Sequence, residues 1–391
     1  MKKTVVCAMS GGVDSSVTAA LLRKQGYNVI GVFMKLWSDY QDDEPIKKPT
    51  SKVGYNRSKE NICCSLEASI AARAVAAKLK IPFYVVNFED EFKKTVVDYY
   101  ILEHEAGRTP NPCVICNRDI KGEILLKKAI ELKADYLATG HYARIESKND
   151  KIQMSNDKQK SKCQNPNVKY QLLQAKDKTK DQTYFLWMLK QEHLKHILFP
   201  IGDYEKSEVR KMAKKMGLPT AERKESQGIC FIPSRDIGTF LRRQTKKLTK
   251  VGNIIDMKGN ILGQHHGLID YTIGQRERLG LGGPKAYFVV KLNSQTNTLL
   301  VGDEKDLFQK ELIATDLNWL GEVQGKIQAK IRYGHSAENC QIEKISEDKI
   351  KVIFEKSQRA ITPGQSIVFY RNEQVLGGGV INPPAGEKGE L

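Results

Sequence analysis

The chain has 391 residues, 40% of them hydrophobic, and 63 Lys and Arg against 46 Asp and Glu, a formal charge of +17. That length buries sizeable cores in about two or three domains, and no uncharged apolar run approaches the ~18 residues of a membrane span, so a soluble protein with no membrane partner is expected. The positive excess favours a polyanionic partner, because phosphate contacts release counterions, with lysine-rich genomic composition as the bland alternative.

At the start, "MKKTVVCAMSGG" holds an apolar stretch too short for a signal peptide and runs straight into a glycine loop, so a reducing cytoplasm is the expected location. There, eight cysteines are expected as thiols, metal ligands or catalytic groups rather than as a disulfide framework. For any one of them the default is a small buried hydrophobe.

"KTVVCAM" and "NVIGVFM" are near-continuous apolar runs flanking the amphipathic "SSVTAALLRKQG", which ends at Gly26. Strand, helix and strand in that order predict a βαβ unit and a parallel sheet. "SLEASIAARAVAAKLK" (helix), "IPFYVVNF" (strand), "EDEFKKTVVDYYILEHEAG" and "RDIKGEILLKKAIELK" (helices) and "ADYLATGHYARI" (a strand running into a loop) extend this to a doubly wound α/β domain over residues 1–202. Two polar stretches, 38–60 and 147–168, lack apolar periodicity and read as mobile loops.

Residues 203–284 are expected to form a small central α+β domain. It contains the helix "EKSEVRKMAKKMGL", the stretch "ESQGICF" and "DIGTFLRRQTKKLTK", in which five of residues 241–250 are basic; that helix either faces nucleic acid or is a solvated face. From 285 to 391 the runs shorten to "AYFVVKLN", "TLLVG", "KIKVIFE", "QSIVFY" and "QVLGGGVI" between turn residues, predicting a C-terminal β-barrel or sandwich.

The loop "AMSGGVDSS" lies between the first strand and the first helix, where α/β proteins bind phosphate. Gly11 and Gly12 let backbone N–H groups approach an anion, Ser10, Ser15 and Ser16 add hydroxyls, and the helix dipole adds positive potential. The loop matches neither the Walker A pattern nor the dinucleotide fingerprint. Its S-G-G-x-D-S is the pattern of PP-loop ATP pyrophosphatases, and Asp14 beside a phosphate cradle points to Mg²⁺ held through the ATP phosphates. Farther on, "GRTPNPCVICNRDIKGE" spaces Cys113 and Cys116 as C-x-x-C. A zinc site would need a second such pair, and "ICC" at Cys63 and Cys64 lacks the spacing.

Seven motifs in order, "MSGGVDSSV", "GRTPNPCVICN", "ATGHYARI", "KDQTYFLW", "ESQGICF", "YTIGQRERLG" and "RYGH", make the chain resemble the tRNA-specific 2-thiouridylase (MnmA) family over nearly its whole length. The resemblance implies an N-terminal PP-loop domain of the adenine nucleotide α-hydrolase-like type. It also implies ATP-dependent 2-thiolation of the wobble uridine of tRNA, with release of AMP and pyrophosphate, by a monomer served by a cysteine desulfurase or sulfur-relay carrier. Carried over by motif, Cys116 is the nucleophile and Cys230 carries the persulfide sulfur, so the two end as a Cys116–Cys230 disulfide. Ala8, Met9, Ser10, Gly11, Gly12, Val13, Asp14, Ser15, Met34 and Gly140 match ATP positions. Asn111, Pro112, Cys113, His141, Lys180, Asp181, Gln182, Arg332, Tyr333 and Gln365 match tRNA positions.

One position departs from the family pattern. Cys113 stands where an aspartate is common, and a thiol mostly protonated at neutral pH is a poorer base than a carboxylate. The substitution also gathers Cys113, Cys116 and Cys230 as the three ligands of a conceivable iron–sulfur cluster. A PP-loop synthetase acting on a small molecule, and an RNA-binding protein with a vestigial nucleotide loop, are the rival readings.

Overall fold

The computed structural model describes residues 2–37, 65–147, 169–225, 228–232, 236–282 and 286–383. The polar stretch 38–60 lies outside the described residues, as do Cys63, Cys64 and Cys163, and of 147–168 only Ser147 is described. The chain divides into two compact units, Met1–Thr95 with Cys116–Asp236, and Val96–Ile115 with Ile237–Leu391.

In the first unit, β1 (Thr4–Ala8) pairs in parallel with β2 (Asn28–Lys35), and β2 with β3 (Phe83–Asn87). On the other side of β1 comes β4 (Tyr136–Ala138); the antiparallel hairpin β5 (Ala143–Ser147) and β6 (Tyr170–Gln174) follows, and β7 (Ile197–Leu198) then lies parallel to β4. The sheet order is therefore β3-β2-β1-β4-β7. Val5, Val6 and Cys7 are fully buried, as befits a central strand of a parallel sheet covered on both faces.

Helix α1 (Val13–Lys24) packs its Val17, Leu21 and Leu22 into this core with Ala72 and Val75 of α2 (Leu66–Leu79), which Ser65 caps by accepting the Ala68 N–H at 3.1 Å. Val209 and Ala213, four residues apart on helix Lys206–Lys215, join the same core. That helix, expected in a central domain, thus belongs to the first unit, which runs through Asp236.

The expected single helices are not regular. One runs as Glu89–Phe92, a π-helical Lys93–Val97 and Asp98–Glu105; the other runs as Pro112–Ile115, a π-helical Cys116–Leu125 and Leu126–Glu131. Such wide turns concentrate at functional sites.

In the second unit, β8 (Gly252–Ile255), β9 (Ile261–His265), β10 (Phe288–Asn293) and β11 (Thr298–Gly302) form a sheet ordered β10-β11-β8-β9. Strands β10 and β11, expected in the C-terminal domain, complete this central sheet. The six strands β12 (Phe308–Trp319), β13 (Ile327–Lys330), β14 (Glu338–Lys344), β15 (Ile350–Arg359), β16 (Ser366–Arg371) and β17 (Gln374–Ile381) run in the order β12-β15-β14-β13-β16-β17. β17 pairs back onto β12, so the expected barrel is closed and its edges are removed. Alternating Ile350, Val352 and Phe354 fill its interior.

Candidate active site

β1 leads toward β2 and β3 on one side of the sheet and has β4 and β7 on the other, so the order reverses between β1 and β4. Open α/β sheets bind ligands in the crevice at the carboxyl ends of such a strand pair. Here the loop after β1 meets the loop after β4: a Cβ on Gly140 would lie 2.8 Å from the Ser15 backbone nitrogen. Gly11 adopts φ +73° and presses on α2, where a Cβ would lie 2.2 Å from the Ala68 carbonyl oxygen.

Inside the loop, Ser15 Oγ accepts the Ser10 N–H at 3.2 Å and lies 3.3 Å from Ser10 Oγ, while Ser16 Oγ donates to the Gly12 carbonyl at 2.7 Å. Gly12 caps α1 with no side-chain bond, which leaves the first N–H groups of the helix to an anion. Ala8, Met9 and Val13 are buried behind the loop as its apolar backing, and Met34, one residue before the end of the neighbouring strand β2, lies in register with Val86. The cradle fits a polyphosphate.

Asp14 is engaged on both oxygens. Lys206 Nζ lies 2.8 and 2.7 Å from them, and the Tyr142 hydroxyl donates to Oδ1 at 2.8 Å. Burial first, and then the Asp14 carboxylate, push the Tyr142 phenol far above its ordinary range, so it stays a donor. Lys206 also reaches Glu225 Oε1 at 3.1 Å; Lys180 holds Oε2 at 2.9 Å and Arg210 lies 3.4 Å from Oε1. From the same "RKES" segment, Arg223 donates to the Gly11 carbonyl at 3.1 Å.

Burial pushes the Glu225 carboxyl up, but the hydrogen bonds from Lys180 and Lys206 outweigh it and hold the group at about 2, against an ordinary 4.5. A depressed folded value stabilises the protein above the unfolded value, and that contribution is lost as pH falls toward the folded one. Chemical denaturation should therefore show wild type losing more stability than Glu225→Gln between about pH 5 and pH 3. Equal losses would contradict the assignment.

His141, after β4, is half-buried between Thr139 Oγ1 at 2.7 Å from Nδ1 and Lys121 Nζ at 3.3 Å from Nε2. Burial first, and then Lys121, hold it well below the usual histidine range, so it is a neutral ring at physiological pH. A lysine ammonium can only donate, which assigns the ring proton to Nδ1.

The "KDQ" residues face inward as much as outward. Asp181 is 5% exposed, accepts the Ala175 N–H at 3.0 Å and the Thr183 hydroxyl at 2.7 Å, and so anchors a turn. Gln182 Oε1 accepts the Tyr142 N–H at 2.9 Å.

Cys116 opens the π-helical Cys116–Leu125 and is 8% exposed; Cys230 is half-buried. Phe231, beside Cys230, packs edge-on against Phe92 at 5.6 Å between centroids, and the Glu89–Phe92 helix packs on Cys116–Leu125. One aromatic contact therefore brings the two cysteine-bearing segments onto the same helix. Burial pushes the Cys7 thiol up to about 12, and burial with Glu355 does the same for Cys340, so both are inert core residues.

In the second unit, Asn111 Oδ1 accepts the Cys113 N–H at 3.2 Å, Pro112 is buried and Cys113 is half-buried. Gln365 Nε2 donates to the Thr109 carbonyl at 2.7 Å, bracing that loop on the barrel. The Arg332 guanidinium bonds the carbonyls of Ile273 and Ala360 and the Thr362 hydroxyl, while neighbouring Tyr333 is 41% exposed. Arg332 thus buttresses the fold and Tyr333 offers the open ring.

Among the described residues, one His, Cys, Asp or Glu group is tight enough for a metal: Glu123, Glu192 and His193. It holds no cysteine. His193 Nδ1 accepts the Lys190 N–H at 3.2 Å and Nε2 faces Glu123 at 3.1 Å, while Lys190 Nζ lies 3.4 Å from Glu123, so a cation and a ring proton already balance these acids.

Lys206, Glu225, Tyr142 and Arg223 were missed in the sequence. Only Tyr142 and Glu225 carried a signal, by lying inside quoted motifs.

A parallel sheet with a glycine- and serine-lined phosphate loop at its switch point defines a PP-loop, ATP-using α/β protein. The tRNA methyl transferase HUP domain family matches residues 3–234, the tRNA methyl transferase PRC-barrel domain 238–303 and the aminomethyltransferase beta-barrel domain 309–381. The tRNA-specific 2-thiouridylase MnmA of Clostridioides difficile is 46% identical over 385 residues, 97% of this chain and 98% of that protein. Those of Carboxydothermus hydrogenoformans and Clostridium kluyveri are each 45% identical, over 97% and 98% of this chain and 98% and 100% of theirs. The chain belongs to the tRNA-specific 2-thiouridylase family.

Proposed function

We propose that the chain is a tRNA-uridine 2-sulfurtransferase, acting on the wobble uridine as a cytoplasmic monomer supplied by a sulfur-donor protein. The observation that carries this reading is the ion-pair chain Asp14–Lys206–Glu225: the motif that bears Cys230 is tied to the phosphate loop within one compact unit. Some of the matching family descriptions name methyl transfer, but a phosphate loop tied to a cysteine-bearing segment is equipment for adenylation and sulfur transfer.

The uridine O2 attacks the α-phosphorus of ATP and pyrophosphate leaves. Asp14 is the carboxylate that would hold a Mg²⁺ bound with the nucleotide, and that ion would neutralise polyphosphate charge. The terminal sulfur of a Cys230 persulfide then attacks C2, and AMP departs with the oxygen. The Cys116 thiolate attacks the Cys230 sulfur, freeing 2-thiouridine and leaving a Cys116–Cys230 disulfide, which an external thiol reduces with two electrons. Neutral His141 serves as a fixed polar contact, while Lys180 and Tyr333 serve tRNA phosphate and base.

The test is incubation with ATP, Mg²⁺, a persulfide donor and unmodified tRNA, followed by digestion. Formation of 2-thiouridine with one pyrophosphate each, and tRNA affinity that falls steeply with salt, is the expected result. Folded protein that releases no pyrophosphate and forms no 2-thiouridine would refute the reading. An iron–sulfur absorption band in anaerobically purified protein would replace the disulfide route.

A further inference from the structure

The loop "AMSGGVDSS" contains no lysine, although the polyphosphate it cradles carries several negative charges. The N-terminus of α1 offsets only about half a charge. A lysine does stand at the loop, supplied from 192 residues away: Lys206, the first residue of helix Lys206–Lys215. It is 9% exposed, a burial lysines rarely accept unless paired.

Its partners are arranged for exchange. The ammonium lies 2.8 and 2.7 Å from the two Asp14 oxygens, 3.1 Å from Glu225 and 5.5 Å from the centre of the Tyr142 ring. Lys180 and Arg210 fix Glu225 from its other sides. If Lys206 leaves Asp14, Glu225 and the Tyr142 face still accompany it, so the move strands no buried charge, which is the costly outcome for a broken buried pair. Asp14, in turn, can meet a divalent cation only by giving up Lys206, because both its oxygens are taken.

We propose that Lys206 is the polyphosphate-contacting lysine of this site, parked on Asp14 in the unliganded protein and turned onto phosphate oxygens when a magnesium nucleotide takes Asp14. It fills the role that a P-loop lysine fills in other nucleotide sites, from a helix outside the loop. The inference rests on the nucleotide-using reading above and adds to it the residue that meets the leaving pyrophosphate.

Two binding measurements test it, and neither needs tRNA or a sulfur donor. Calorimetry with ATP should show Lys206→Met binding about tenfold or more weakly than wild type, the loss of one charge-assisted contact, with Lys206→Arg keeping most of the affinity. Electron paramagnetic resonance with Mn²⁺ and no nucleotide should show the opposite change, with Lys206→Met binding the metal more tightly because Asp14 is uncovered. A merely structural lysine would weaken both. Lys206→Met that binds ATP as wild type does, or loses both ligands, overturns the proposal. Should Lys206→Met fail to fold, Lys206→Gln is read in its place with the same expected directions. Wild type that binds no ATP would overturn the nucleotide-using reading itself, whereas a variant equal to a competent wild type overturns only the role of Lys206.

Discussion

Cys116→Ser should lower 2-thiouridine formation on the order of 10³-fold or more while pyrophosphate release continues, because removing a covalent group abolishes its step and spares the one before it. In the disulfide route this variant cannot cleave the Cys230–sulfur bond. It should therefore accumulate tRNA joined through a C2–S–S linkage to Cys230, seen as a complex that survives denaturant and falls apart with a thiol. Cys230→Ser should lose thiolation equally but form no such complex, and it should take up no sulfur from a persulfide donor. If Cys116→Ser turns over normally, or if both variants trap tRNA alike, the assigned roles are wrong. The two thiols differ in exposure: Cys116 is almost wholly buried at the start of a π-helical turn, whereas Cys230 is half-buried.

The features legible in the sequence were those whose signal is local. β1, α1 and β2 announce themselves by periodicity, and the loop between them by its residue types. Among the barrel strands, β13 and the first half of β15 show period-two burial, whereas β16 and β17 are buried almost throughout. Helix Lys206–Lys215 was legible as a helix but not as part of the first unit, since an apolar stripe says that something covers it and not what. The π-helical turns at Lys93–Val97 and Cys116–Leu125 were invisible, because their residues also satisfy an α-helical pattern.

The network around Asp14 was hidden for a related reason. Its bonds span 128 residues to Tyr142 and 192 to Lys206, and no spacing rule joins such positions. Arg332 shows what motif reading leaves out: a guanidinium beside an aromatic suggests RNA, and the same side chain also ties the fold together, its Nη2 bonding the Ile273 and Ala360 carbonyls and the Thr362 hydroxyl. The motifs quoted from the sequence, "SGGVDSS", "TGHY", "KDQ" and "ESQGIC", turn out to be one hydrogen-bonded assembly through Asp14, Tyr142, Gln182, Lys180 and Glu225.

Gly11→Ala and Gly12→Ala should differ sharply although the residues are adjacent. Gly11 has φ +73°, which costs an L-residue roughly 1–2 kcal/mol, and its new Cβ would fall 2.2 Å from the Ala68 carbonyl oxygen and 2.9 Å from the carbon. That obstacle is the backbone of α2, which Ser65 caps and the core residues Ala72 and Val75 hold, so it cannot yield as a flexible side chain would. Gly12 has φ −87°, and the nearest atom to its added Cβ is Ser10 Oγ at 3.5 Å, an ordinary contact. Gly11→Ala should therefore cost a few kcal/mol in denaturant unfolding and at least about tenfold in ATP affinity, as the loop lifts off α2 and its N–H groups lose their aim. Gly12→Ala should stay within about 1 kcal/mol of wild type in stability, since nothing in the fold opposes the methyl group. Its effect on ATP then isolates how closely phosphate approaches the backbone at that residue: a normal melt with weakened ATP binding places the polyphosphate directly over Gly12. Equal stability losses in the two variants would mean that the contact with Ala68 does not hold the loop.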